Sequence, residues 1–175
     1  MNHFHDNLKP LRWGLVLTLI TLVYGFGLGA AFGAFEESIK GSILTDAEAV
    51  LPTNYGGDEA KMEATIGKSW TYWKRAHLHA NGLGATGLGL ILLLSFLGGS
   101  VRFRAITAFL IGLGSLGYAM YWMFAGMRAP GMGSTGAAKD SLEWLAVPSS
   151  GMAMIGLVCT LGLTVKCACS AGRGA

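Results

Sequence analysis

The feature that most constrains this chain is a set of four long apolar runs that contain no charged side chain. A helix that crosses a bilayer needs about 20 consecutive, mostly apolar residues, so each run is long enough for one spanning helix. The four spans are distributed along the whole chain, and the segments between them leave no room for a second domain. The sequence therefore predicts an all-α, integral membrane four-helix bundle that forms a single transmembrane domain over residues 1–175. The predicted spans cover about residues 13–35, 80–97, 105–127 and 147–165.

The composition agrees with a bilayer environment. Hydrophobic residues make up 52% of the chain and charged residues only 13%, whereas soluble domains are about 25% charged. The net charge is +3, and the basic residues are scattered at span ends and do not form a patch. The lipid bilayer is therefore the expected partner, and no nucleic-acid partner is expected.

The distribution of basic residues predicts the orientation. Four spans place both termini on one side, and the short segments on that side hold six basic residues and a single acid, Asp6. Because cytoplasmic segments are enriched in Lys and Arg, we expect a multi-pass membrane protein with cytoplasmic N- and C-termini. The six basic residues are Lys9, Arg12, Arg102, Arg104, Lys166 and Arg173.

The first outer connection, residues 36–75, is too long for a simple loop and is expected to contain structure of its own. Apolar residues spaced three to four apart over residues 36–51 predict a short amphipathic helix lying at the membrane interface. Asp58 and Glu59 are suited to the start of a second helix that runs directly into the next span. Helices of this kind are expected to cap the outer face of the bundle.

The second outer connection, residues 128–147, is also expected to be ordered against the membrane surface. Ser134 or Thr135 is predicted to begin a short helix that continues through Leu145, because Ser and Thr are preferred at the N-cap. Pro148 suits the first turn of the fourth span, where its missing N–H has no cost. The outer cap therefore draws on both connections.

Glycines recur along the spans at helical spacing. Gly25, Gly29 and Gly33 are four residues apart and place small side chains on one face, which predicts the close approach of a neighbouring helix. Two G-x-G-x-x-G patterns, at 82–87 and 112–117, lie inside apolar runs. Because a dinucleotide site needs a preceding strand, both patterns are assigned to helix packing. The glycine faces predict contact with other membrane subunits or self-association.

His77 and His79 are the two histidines beside a predicted span. Ionisable residues near or within a span are costly and mark functional sites. Side chains two residues apart on a helix point to nearly opposite faces, so the two imidazoles are not expected to bind one metal ion together. His77 shares a stripe with Trp73 and Asn81, and we predict it as the inward ligand.

Three methionines accompany the histidines at the outer end of the third span. Met120, Met123 and Met127 recur on one helix face. A haem held between helices needs an axial imidazole and often a second His or Met ligand, and thioether with imidazole suits copper. Methionine also fills irregular helix contacts without any ligand role. The predicted cofactor-binding residues are His77, His79, Asn81, Met120, Met123, Met127 and Arg128, with His77 and His79 as metal ligands.

Arg128 lies where the third span ends, beside Tyr121 and Trp122. In that position its guanidinium is suited to pairing with Glu143 or to holding a lipid or quinone head group. Simple anchoring at the interface is the alternative.

The segment 75–84 reads RAHLHANGLG and carries the pattern A-H-x-H-x-x-x-x-G. It resembles the start of a helix in membrane proteins related to haem-copper oxidases and to the NnrS group of haem- and copper-linked proteins. In those families the histidines serve metal or haem, which implies such a role for His77 or His79. The whole chain, with the loop RAPGMGST at 128–135, is similar to a small bacterial family of four-span inner-membrane proteins.

Together these patterns predict a small electron-transfer or respiratory-chain protein of the inner membrane. It would bind a haem b or copper near the outer face through His77 or His79 and exchange electrons with a quinone or another redox subunit. The alternative is a cofactor-free structural or accessory subunit whose glycine faces pack against partner helices.

Overall fold

Residues 2–171 are described in a computed structural model, with side-chain surroundings for residues 5–169, and this part of the chain is helical without strands. Four of its helices are long and apolar enough to cross a membrane. The all-α class and the number of long helices are therefore confirmed. The elements are α1 (Asn2–Leu8), a 3-10 turn (Lys9–Leu11), α2 (Arg12–Glu48), α3 (Leu51–Asn54), α4 (Glu59–Phe96), α5 (Val101–Arg128), α6 (Thr135–Asp140) and α7 (Glu143–Ala171).

Helices α2 and α4 are much longer than a bilayer requires. They contain 37 and 38 residues, which at 1.5 Å per residue is about 55 Å each, against a hydrocarbon thickness of about 30 Å. Both extend beyond the apolar runs at the end of the bundle that carries the two long connections. We call this the loop end, and we call the opposite end, which carries the chain termini, the terminal end.

The expectation that the 36–75 connection contains helices of its own is confirmed, whereas a location at a membrane interface stays a prediction. Residues 36–48 continue α2, and residues 59–75 form the first half of α4. At Phe35 (φ −134°, ψ 20°) the backbone is not helical, so a kink separates residues 36–48 from the apolar part of α2. The expected start of α4 is confirmed, since the Asp58 carboxylate accepts a hydrogen bond from the Lys61 N–H at 2.9 Å.

The second connection covers residues 129–142 and is shorter than the predicted 128–147. Ser134 caps α6, accepting from the Ala137 N–H at 3.2 Å, but α6 ends at Asp140 and does not reach Leu145. Helix α7 begins at Glu143, so Pro148 lies inside the helix and not in its first turn. Between the long helices, the described part of the loop end has two short helices, α3 and α6.

Helix α5 is the centre of the bundle. It packs against α2, α4 and α7, whereas α7 packs almost entirely on α5 and scarcely touches α4. Glycines make these approaches possible. A Cβ on Gly112 would lie 2.5 Å from the Gly14 carbonyl oxygen of α2, and one on Gly114 would lie 2.5 Å from the Ala153 nitrogen of α7. The assignment of these glycines to helix packing is confirmed.

The two ends of the bundle are closed differently. At the terminal end a hydrophobic cluster around Leu11, Ile91 and Leu94 joins the N-terminal turn to α4 and α5. At the loop end the connection after α2 is tied to the connection after α5, because Tyr55 donates to the Pro130 carbonyl at 2.8 Å and Asn54 donates to the Gly131 carbonyl at 2.7 Å. The loop end is therefore a folded extension of the bundle.

Candidate functional site

The two histidines of α4 leave the helix on different sides, as their spacing predicts. His77 faces α2, where its Nδ1 lies 2.8 Å from the Gly25 carbonyl oxygen. The ring rests against Gly29, at which a Cβ would come within 2.8 Å of the imidazole Cε1, and it meets Phe32 edge-on at 5.8 Å between ring centroids. Gly29 therefore provides the space for the imidazole, whereas a Cβ at Gly25 would come within 2.8 Å of the Asn81 Oδ1.

The other residues on the His77 side make separate contacts. Asn81 donates from Nδ2 to the His77 carbonyl at 3.0 Å, and its Oδ1 is buried without a hydrogen-bond partner among residues 5–169. Met123 accepts a hydrogen bond at Sδ from the Tyr24 hydroxyl at 3.0 Å. Met120 is half-buried and Met127 is 50% exposed. The three methionines thus share a helix face but have different surroundings.

His79 belongs to an aromatic cluster between α4 and α5. Its ring lies edge-on to Tyr118 at 5.2 Å and stacks on Trp122 at 5.8 Å with an interplanar angle of 28°. Its Nδ1 lies 2.8 Å from the Arg75 carbonyl oxygen, one turn back along α4. Because a carbonyl can only accept, Nδ1 carries the proton, and in the neutral imidazole Nε2 is left as an acceptor.

Arg75 adds a positive charge to this cluster. Its guanidinium carbon lies 4.8 Å from the ring centroid of Trp122 and 5.5 Å from that of Tyr72, within the range of cation–π attraction. No ion pair joins Arg75 to a carboxylate within residues 5–169. The charge of Arg75 is therefore balanced by aromatic faces and not by a carboxylate.

A lateral groove opens next to this cluster, between α4, α5 and α7. It exists because α7 rests on α5 and leaves a gap beside α4. Its main cavity has a volume of about 300 Å³, at the lower end of the range for small-molecule pockets. The walls are mostly aliphatic. The lining residues are Leu83, Thr86, Gly87 and Leu90 of α4, Ile111, Ser115 and Tyr118 of α5, and Ser150, Ala153, Met154 and Leu157 of α7.

The lateral groove continues toward the loop end in a second, more open cavity of about 260 Å³. Leu83 and Thr86 line both cavities, and His79 borders the second. No hydrogen-bond partner within residues 5–169 occupies the Tyr118 hydroxyl or the Nε2 of His79. An apolar groove thus ends at two polar groups that are available to a ligand.

Arg128 is placed beside the second connection. Its Nη1 donates to the Ser141 hydroxyl at 3.0 Å and approaches the Ser141 carbonyl at 3.5 Å. The Ser141 contacts take the place of the expected pair with Glu143, which does not occur among the ion pairs of residues 5–169. Arg128 ties the end of α5 to the C-cap residue of α6 and does not border the lateral groove.

The described residues hold no clustered metal site. Within them, no group of three or more His, Cys, Asp and Glu side chains lies close enough to hold a metal ion. His77 and His79 occupy different interfaces, so they do not fit a shared haem or copper. Each retains one ring nitrogen, Nε2, because Nδ1 is held by a backbone carbonyl.

Sequence reasoning missed the part that Tyr118 and Thr86 play in the groove. Tyr118, Tyr121 and Trp122 are spaced i, i+3 and i+4, which puts them on one helix face and was a usable signal. Tyr121 and Trp122 were considered only as neighbours of Arg128, because nothing in the pattern indicates a gap between α4 and α7. That gap depends on the packing of α7 against α5, and the spacing of residues along the sequence gives no information about this packing.

Comparison with known proteins gives no relative. No family model, no curated protein and no solved structure matches this chain.

Proposed function

We propose that this chain is an integral protein of the bacterial inner membrane, with the terminal end in the cytoplasm and the loop end outside. Support comes from the four apolar helices and from the basic residues that accompany both termini and the Gly98–Ser100 turn. Cytoplasmic segments are enriched in such residues. In this orientation the lateral groove faces lipid, and a lipid-soluble ligand can enter it sideways.

We further propose that the protein is a small electron-transfer or respiratory-chain protein that binds a quinone in the lateral groove. One observation carries the proposal: an apolar groove of about 300 Å³ ends beside His79 and Tyr118. A quinone has the matching chemistry, because its isoprenoid tail is apolar and its planar ring carries oxygens at the edge. The aliphatic walls suit the tail, while the aromatic cluster and the two polar groups suit the ring.

Quinone binding is tested with purified protein in mild detergent. Decylubiquinone, a soluble benzoquinone with an alkyl tail, is titrated into the wild type and into Thr86→Phe, which places a phenyl ring where the two cavities meet. We expect binding by the wild type and a loss of at least about tenfold in the variant. The matched control is Leu92→Phe, because Leu92 is partly exposed on the same helix but does not line the groove.

An undiminished affinity in Thr86→Phe would show that quinone binds elsewhere. No measurable binding by any of the three proteins would refute the proposal itself.

A haem b or copper on His77 or His79 stays a prediction. In its favour, a backbone carbonyl orients each imidazole and leaves Nε2 for a ligand, an arrangement common among metal-bound histidines. Such a group would add a one-electron centre to the quinone site. A visible absorption spectrum with metal analysis tests for haem and copper. The absence of both a Soret band and stoichiometric metal would contradict the prediction of a bound haem or copper.

The alternative, a cofactor-free accessory subunit, is favoured by the exposure of α7. Only 11% of the most apolar 18-residue window of this helix is buried within the chain, so a wide apolar face is left for lipid or for a partner helix. Native mass measurement in mild detergent distinguishes the two functions. A stable heteromeric complex that binds no quinone would support the accessory role.

A further inference from the structure

We propose that the lateral groove selects the reduced form of its ligand, a hydroquinone, through the Nε2 of His79. This inference rests on the proposed quinone-binding function and names the redox form that the site prefers. It follows from which ring nitrogen of His79 holds the proton and from the different hydrogen-bonding capacities of the two polar groups at the groove.

The backbone fixes the tautomer of His79. Its Nδ1 lies 2.8 Å from the Arg75 carbonyl, and this oxygen offers no proton, so the proton of the neutral imidazole is on Nδ1. Stacking on Trp122 and the edge contact with Tyr118 hold the plane of the ring, which opposes a ring flip that would take Nδ1 away from the Arg75 carbonyl. Nε2 therefore presents a lone pair.

The two redox forms of the ligand differ at their oxygens. A hydroquinone hydroxyl donates a hydrogen bond to the Nε2 lone pair. A quinone carbonyl is itself an acceptor, so it forms no hydrogen bond with Nε2. Tyr118 does not discriminate, because its hydroxyl can donate or accept. The preference therefore arises at His79 alone.

The size of the preference follows from the cost of an unsatisfied polar group. Leaving a desolvated acceptor without its partner corresponds to a loss of about five- to 100-fold in affinity. We therefore expect the hydroquinone to bind at least about tenfold more tightly than the quinone. For a two-electron couple, each tenfold preference for the reduced form raises the midpoint potential of the bound ligand by about 30 mV.

The test compares decylubiquinone with decylubiquinol, each titrated anaerobically into the intact chain in mild detergent. The wild type should bind the reduced form at least about tenfold more tightly. His79→Phe keeps an aromatic ring against Trp122 but has no acceptor, so it should bind the two forms with nearly equal affinity. Tyr118→Phe should weaken both forms by a similar factor and keep their ratio.

A control variant, Thr71→Val, lies on the same helix, where its hydroxyl bonds only to the Gly67 carbonyl, and it should retain the wild-type ratio. The helical circular dichroism of every variant verifies that it folds. Equal binding of both forms by the wild type, or tighter binding of the quinone, would overturn the inference while leaving quinone binding intact. Failure to bind either form would instead overturn the proposed function. A wild-type ratio retained by His79→Phe would place the selection elsewhere.

Discussion

His77 and Gly25 join two helices through a single polar contact, in which the imidazole Nδ1 of α4 donates to the backbone carbonyl of α2 at 2.8 Å. Within α2 this carbonyl oxygen already accepts a backbone hydrogen bond from the next turn of the helix. The imidazole therefore donates a second hydrogen bond to the same oxygen. Glycine at position 29 leaves room for the ring. The glycine stripe of α2 and the histidine of α4 are therefore one structural unit.

Replacing Gly29 with valine is expected to destabilise the protein by about 1–2 kcal/mol, because the displaced imidazole loses its hydrogen bond to Gly25. A Cβ at position 29 would come within 2.8 Å of the His77 Cε1. The measurement is the thermal unfolding midpoint in mild detergent, followed by circular dichroism. Gly33→Val is the matched control, since a Cβ there meets no atom within 4 Å. Equal midpoints for the two variants would contradict the coupling of Gly29 to His77.

Gly112→Ala is expected to force α2 and α5 apart, because the new Cβ would lie 2.5 Å from the Gly14 carbonyl oxygen. Overpacking of this kind costs about 1–3 kcal/mol. Gly89→Ala on α4 has open space around the new methyl group, and it should leave stability unchanged or raise it by a few tenths of a kcal/mol. Detergent-based unfolding of both variants checks the prediction, and a Gly112→Ala protein as stable as the wild type would refute the close packing.

The buried phenol of Tyr55 is expected to make the protein less stable at alkaline pH. Burial raises the pKa of its phenol above the ordinary value of about 10. The stabilisation from the neutral phenol is therefore complete below about pH 10 and is lost as the pH rises toward the pKa of the folded state. Tyr55→Phe removes the hydrogen bond to Pro130 and should cost about 1 kcal/mol at neutral pH.

The Tyr55→Phe deficit should shrink above pH 10, because only the wild type loses this stabilisation. Unfolding midpoints of the two proteins at pH 8 and pH 10.5 test the sign, with the exposed Thr53→Ala as a control. A deficit that grows with pH would contradict it.

Cys169 provides a test of orientation. Its side chain is exposed near the C-terminus, and in the variant Cys159→Ser/Cys167→Ser it is the remaining thiol. A membrane-impermeant maleimide should label it in inside-out membrane vesicles and not in right-side-out vesicles. In a cysteine-free background, Ser42→Cys on the loop-end half of α2 should give the reverse pattern. Labelling of Cys169 from the outside would invert the proposed topology.

Much of the fold follows from local patterns. Uncharged apolar runs identify the four long helices, because backbone polar groups in hydrocarbon must be satisfied within the helix. Asp58 as the start of α4 and Ser134 as the start of α6 follow from capping preferences. Helix over residues 36–48 follows from the spacing of its apolar residues, but its packing against α4 and the loop-end cluster around Tyr55 could not be predicted in the same way, because it depends on tertiary contacts.

The sequence by itself determined the helical class, the number of long helices and the divergence of His77 from His79, because helical periodicity fixes the direction of each side chain. Only the tertiary structure decided what each histidine meets. His77 lies against the glycines of α2, and His79 borders a groove that exists because α7 packs on α5 and not on α4. The choice of neighbour depends on the fit of all four helices at once, and no single stretch of sequence contains that fit.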